Sequence, residues 1–298
     1  MTSLRTKEFA CIVTVLLLLG AYILLTDVTQ IFAQTEAEST PAIEELQILE
    51  QELPPEITAV DELQTLTTLY KSQIEKYRTS ERQFNLDKQQ YAQLKTLVSL
   101  EVAVRSTREV YLDRSKVLIT YLELVEYTLR DTPGIELGAK EGASQVLATV
   151  KTDLLTHQDD ILLSEDRIAL SARASEFAEL SPKITNASYR ALLLVRMGKI
   201  QTLYDQSLML FEDILQYHID TPGSALQESQ RGRAREEIER SLETTKESLE
   251  TITREYKNLE EAEKSINRNT YNRMTSDLST PYSQLSKVLS YLGEFITI

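Results

Sequence analysis

One cysteine, two histidines and no tryptophan are spread over 298 residues. Thiolate metal sites, disulfide frameworks and histidine-based catalysis are therefore short of material. Glycine and proline are scarce as well, with eight and seven residues. That scarcity argues against a turn-dense sandwich or barrel. None of the glycines falls in a GxGxxG or GxxxxGK phosphate loop, and no GxSxG nucleophile elbow occurs. Basic residues are in deficit, 32 Lys and Arg against 46 Asp and Glu, for a net charge of -14. Phosphate backbones repel such a chain, so nucleic acid is not an expected partner.

What is present starts at the N-terminus. Arg5 and Lys7 precede a run from Phe9 to Leu25 that carries no charge and contains Cys11. The run is long for a signal-peptide core and short for a membrane span. A weak cleavage site lies at Ile31-Phe32-Ala33. Residues 1–35 thus read as a signal peptide or as an uncleaved signal anchor. Basic residues before the run and acidic ones after it place the C-terminal mass outside the cytoplasm. The expected location is the cell membrane, single-pass with an external domain, or a secreted or periplasmic form after cleavage.

Residues 36–62 form an acidic linker. Glu36, Glu38, Glu44, Glu45, Glu50, Glu52, Glu56, Asp61 and Glu62 face no Lys or Arg there, and Pro41, Pro54 and Pro55 interrupt helix formation. The segment suits a solvated tether, or a repulsive spacer before anionic headgroups.

Residues 63–298 show helical spacing and no strand pattern of useful length. Leu63, Tyr70, Tyr77, Phe84, Tyr91 and Val98 recur at sevens, with Leu66, Ile74 and Leu94 at second seam positions. Val110, Val117, Leu118, Tyr121, Leu122, Val125 and Leu129 broaden the stripe into a bundle face. A weaker stripe runs through Val146, Val150, Leu154, Ile161 and Ile168; others pass through Tyr189, Ile200, Phe211 and His218, and through Leu242, Leu249 and Tyr256.

Proline supplies the punctuation. Asp-Thr-Pro-Gly occurs at 131–134 and again at 220–223, with Tyr127 and Tyr217 before the loops and Leu137 and Leu226 after them. A duplicated helical hairpin accounts for that recurrence. The spacing predicts helices over 63–130, 139–180, 182–219, 224–279 and 282–296, with Pro182 opening the third. The fold class is all-α: an up-down-up-down four-helix bundle with coiled-coil character. The overhanging first and last helices are expected to pair as a stalk, the Tyr70-Tyr77-Phe84-Tyr91 stripe packing on the terminal segment or on a second copy. Asn85 and Asp87 mark the weak points of the long first helix.

Chemistry is sparse. Asp153, His157 and Asp160 share one helical face and form a weak candidate for a divalent ion, with a polar interruption of the stripe as the plainer reading. A pocket near His157 and Tyr204 is the candidate ligand site. His218 reads as a cap at its helix end. Arg231, Arg233, Arg235 and Arg240 are offset by Glu236, Glu237 and Glu239, which favours intrahelical pairs over an acidic partner. Asn186-Ala187-Ser188 matches a glycosylation acceptor. No catalytic, cofactor or metal residue is assigned. The expected function is a non-enzymatic, anchored or exported spacer, scaffold or protein-interaction subunit. Its partners are the membrane, through residues 1–35, and a protein or a second copy. The alternative is an extracytoplasmic ligand-binding or sensory module.

Overall fold

The computed structural model describes residues 59–297 other than 221, 222 and 263. The expected anchor and most of the acidic linker lie outside the described residues. Every described element is a helix. In chain order they are α1 (Ala59–Leu94), α2 (Leu97–Asp131), α3 (Leu137–Leu162), α4 (Arg167–Asp220), α5 (Ala225–Glu261), α6 (Arg268–Asp277) and α7 (Ser279–Thr297). Among the described residues no helix is long and apolar enough to cross a membrane.

The first expected helix, 63–130, is two helices folded against each other. Lys95 adopts a left-handed φ of 51° and ends α1. Thr96 then caps α2: its hydroxyl accepts the N–H of Ser99 at 3.2 Å, and the Ser99 hydroxyl accepts the N–H of Thr96 at 3.1 Å. The chain reverses there and not at Asn85 or Asp87, which stay inside α1. Buried Asp113 of α2 accepts Ser80 Oγ at 2.6 Å and pairs with Lys76 at 3.0 Å, tying the two helices along a polar seam. Tyr70 lies against Tyr121, with ring centroids 6.2 Å apart, so this part of the aromatic stripe covers α2 and not the terminal segment.

Pro182 does not separate two helices. The break falls at residues 163–166, and α4 runs 54 residues straight through the proline. The lost N–H frees only the carbonyl of Ala178, which lies in an exposed stretch open to solvent. Phe177, Leu180, Ile184 and Ala187 hold both sides of the site by packing.

The fourth expected helix, 224–279, ends instead at Glu261. The following turn is docked on α4, where Asn186 Oδ1 accepts the N–H of Ile266 at 2.6 Å and Arg190 Nη2 donates to the Lys264 carbonyl at 2.8 Å. Pro281 falls in the first turn of α7, where its missing N–H has no intrahelical acceptor to lose.

Contacts fix the directions. Arg130–Glu62 and Asp113–Ser80 make α1 antiparallel to α2; Lys151–Glu126 does the same for α2 and α3, and Arg173–Asp160 for α3 and α4. Later on, α5 packs against α7, and both meet the second half of α4. Residues 187–195 of α4 are buried on every face, because neighbours from both halves converge there. Stacked Tyr189 and Tyr271, 4.4 Å apart, join α4 to α6.

The glycines that close the two Asp-Thr-Pro-Gly sequences, Gly134 and Gly223, sit in different surroundings. Gly134 has a φ of 72°, and its Cα faces the Gly198 carbonyl of α4 too closely for a Cβ. Lys140 Nζ donates to the carbonyls of Arg130 and Thr132 at 3.0 and 2.7 Å, closing the end of α2. At the second loop Gly223 N donates to Glu228 Oε1, and Ser224 caps α5.

Candidate functional site: an apolar end built from two turns

Two chain reversals lie at one end of the α1–α4 array. Because α2 is antiparallel to both α1 and α3, the 94–98 turn and the 162–168 turn share that end. Two contacts set their levels. Arg114 lies opposite Phe177, and the Tyr121 hydroxyl bonds Ser188. That register sets Val98 about one to two helical turns, roughly 5–10 Å, beyond Arg167 at the start of α4, so the 94–98 turn projects past the end of α3.

Both turns turn apolar side chains outward. Leu97 and Val98 are 71% and 69% exposed, while Leu163 and Ile168 are 80% and 81% exposed; Leu94 and Leu162 join them. Six large aliphatic side chains within two short turns exceed the scattered surface leucines of an ordinary globular protein. The turns are also firmly built, which separates them from frayed ends. Ser164 Oγ donates to the Asp160 carbonyl at 2.8 Å, and Asp166 Oδ1 accepts the N–H of Ala169 at 2.8 Å.

Charge divides the end in two. The α1–α2 turn carries exposed Lys95, with Lys88 two helical turns back along α1 and Glu101 and Arg105 offsetting each other on the next turns of α2. The α3–α4 turn carries exposed Asp159, Glu165 and Asp166 against Arg167. Asp160 there is paired with Arg173 at 2.9 Å.

Further along the array, a buried polar group occupies the α2–α3–α4 contact. The Arg114 guanidinium lies 3.4 Å from the Phe177 ring centroid, and its Nε and Nη2 have no hydrogen-bond partner among the described residues. Burial lowers its pKa to about 10. The same burial pushes the Tyr77 hydroxyl up to about 12, with Glu81 adding to the effect. His157 packs its ring on Phe177 and sets Nδ1 3.7 Å from Glu176 Oε2. Its pKa is held below the ordinary imidazole value, first by burial and then by the Arg114 guanidinium.

The sequence-derived candidates scatter across this frame. Asp153 faces Lys183 at 3.8 Å and Asp160 faces Arg173, so the carboxylates flanking His157 are each met by a cation. Among the described residues no group of three acidic, His or Cys side chains is arranged to hold a metal ion. His157 and Tyr204 do not share a pocket: His157 is level with Phe177, and Tyr204 stands far along α4. Tyr204 lines a different space, an open groove of about 590 Å³ between α4 and α5, with Gln201, Lys246, Glu250 and Arg254. His218 stands in the last turn of α4, as expected, and its Nε2 lies 2.8 Å from the Phe295 carbonyl near the end of α7. Arg231, Arg235 and Arg240 pair within α5 to Glu228, Glu239 and Glu237. Asn186 sits inside α4, with its side-chain oxygen bonded to Ile266.

The apolar end itself escaped the periodicity reading. Val98 and Ile168 sit on the apolar stripes as core positions, yet the structure exposes both. Each falls in the first turn of a helix, where no neighbour extends far enough to cover it. The usable signal was local: Thr96 and Ser99, or Ser164 and Asp166, are cap-forming residues beside leucine pairs. Comparison with protein-family models, with curated proteins and with solved structures finds no match.

Proposed function

We propose that the protein is a non-enzymatic helical scaffold or protein-interaction subunit of a cell envelope, and that the apolar end is its contact surface. The observation that carries this reading is the concentration of exposed Leu94, Leu97, Val98, Leu162, Leu163 and Ile168 on two well-capped turns. Surfaces of that kind mark sites covered by another molecule. The uncharged Phe9–Leu25 run supports an extracytoplasmic body held by an N-terminal anchor, or exported after cleavage. The chain enters the helical body at Ala59, the opposite end of α1 from the apolar turns. In this reading α1 to α4 make an up-down-up-down array that acts as a spacer about 50 Å long, since α1 has 36 residues at about 1.5 Å each.

The test is a photoreactive residue placed at Leu163 in intact cells, with cross-linked products identified by mass spectrometry. Reproducible capture of a protein is expected, and the same probe at exposed Lys199 is the control. Equal yields at the two positions would overturn the reading.

A ligand-binding module remains the second reading, favoured by the groove beside Tyr204, where Lys246 and Arg254 supply cationic donors. A rise of several degrees in melting temperature with a small anionic ligand, lost in Arg254→Ala, supports it.

A further inference from the structure

The partner of the apolar end follows from its charge pattern. An uncharged or singly charged rim fits many proteins, but this rim is split: Lys95 on one turn with Lys88 two helical turns back along α1, and Asp159, Glu165 and Asp166, set against Arg167 alone, on the other. Placed end to end about a two-fold axis, the 94–98 turn of one copy meets the 162–168 turn of its mate. Lysines then face carboxylates twice over, and the six aliphatic side chains of each copy lie between them. The other two-fold arrangement sets lysine on lysine and carboxylate on carboxylate, which like-charge repulsion disfavours. A surface complementary to itself under a two-fold rotation is the requirement of an isologous dimer.

We infer that the apolar end binds a second copy of this chain, end to end, with the Lys95 turn of each copy against the Glu165 turn of the other. This inference rests on the interaction-subunit reading and names its partner. An anionic membrane is a poorer occupant, because the α3–α4 half of the end carries the same sign of charge as the lipid headgroups. A contact of this size falls near the lower bound of specific interfaces, roughly 1,200 Å² in total, so self-association is expected to be concentration-dependent.

The experiment uses the full chain, purified in detergent in two differently tagged forms, mixed, and cross-linked from a photoreactive residue at Leu163. A mixed-tag product is expected, with the cross-linked peptide containing residues 94–98 of the other copy. Lys95→Glu or Glu165→Lys alone sets like charges face to face in both contacts. Each is expected to lower the yield by about five-fold or more at low salt. The K95E copy mixed with the E165K copy restores the product, as does the double variant with itself. Ile168→Glu abolishes it. Helix content by circular dichroism separates these effects from loss of the fold.

A monomer at all concentrations, or a mixed-tag yield indifferent to both single charge changes, overturns the inference. So does capture of a different protein in intact cells without a second copy, although that result leaves the interaction-subunit reading standing. Capture of nothing in either setting removes both.

Discussion

The side-chain oxygen of Asn186, in the middle of α4, accepts the backbone N–H of Ile266 at 2.6 Å across 80 residues of sequence. With the Arg190 contact to the Lys264 carbonyl, it fastens the turn between α5 and α6 onto the central helix. Asn186→Ala leaves a part-buried N–H without its acceptor, which costs about 1–3 kcal/mol. Asn186→Asp keeps an acceptor and is expected to cost less. Urea unfolding ranks the two, and hydrogen exchange at the Ile266 amide should accelerate in the alanine variant while the amides of residues 117–125 hardly change.

Gly198 and Gly232 are expected to respond in opposite directions. A methyl group at Gly198 meets the Pro133 carbonyl at 2.6 Å, so the first Asp-Thr-Pro-Gly loop must lift from α4. Gly198→Ala is expected to lose roughly 1–3 kcal/mol. Gly232 is exposed two turns inside the N-terminus of α5, with nothing within 4 Å of a built Cβ. There Gly232→Ala raises helix propensity and stabilises by about 1 kcal/mol. Thermal denaturation of the two variants beside the unaltered chain decides the signs.

His157 makes part of the stability depend on pH. Burial, together with the Arg114 and Arg173 guanidiniums, lowers its pKa, while Glu176 and Asp160 oppose them. The unfolded chain therefore takes up a proton as pH falls below about 6.5, and the folded chain resists it. Stability is retained above that value and declines on acidification. His157→Gln is expected to remove this part of the slope between about pH 7.5 and pH 5. Identical slopes for the two proteins, from urea midpoints at each pH, would show that the imidazole is not the group involved.

Arg114 is a buried guanidinium whose perturbing neighbours are tyrosines rather than carboxylates. Its stacking on Phe177 contributes about 2 kcal/mol at most, against a desolvation penalty of several. Arg114→Met fills a similar volume without charge, and the expected change is neutral to about 1 kcal/mol stabilising. Phe177→Ala, by contrast, empties a fully buried position and costs about 3–5 kcal/mol. Guanidinium denaturation measures both; a large loss in R114M would mean that the cation has a partner in solution.

Periodicity alone made the helical class legible, since no strand pattern competes with the sevens of Tyr70 to Val98 or Leu242 to Tyr256. Buried Val117, Leu122, Val125 and Leu129 show that the broad second stripe is a core face. The Asp131–Gly134 loop was legible from its proline and glycine, and the terminal helix was placed within a few residues. The metal and pocket candidates were drawn from helical spacing, which brings side chains to one face but cannot say which cations a neighbouring helix supplies. Lys183 and Arg173 supply them here.

Local sequence thus determined that the chain is helical and which side of each helix is apolar, because the 3.6-residue repeat fixes both. Only the tertiary structure decided where the helices stop. A proline at position 182 was overridden by packing on both sides, whereas Lys95, with no breaker beside it, became a reversal because α1 gains more by lying on α2 than by extending into water. That decision in turn left Val98 and Ile168 uncovered. A stripe records which residues prefer burial; what covers them depends on the positions of all the other helices.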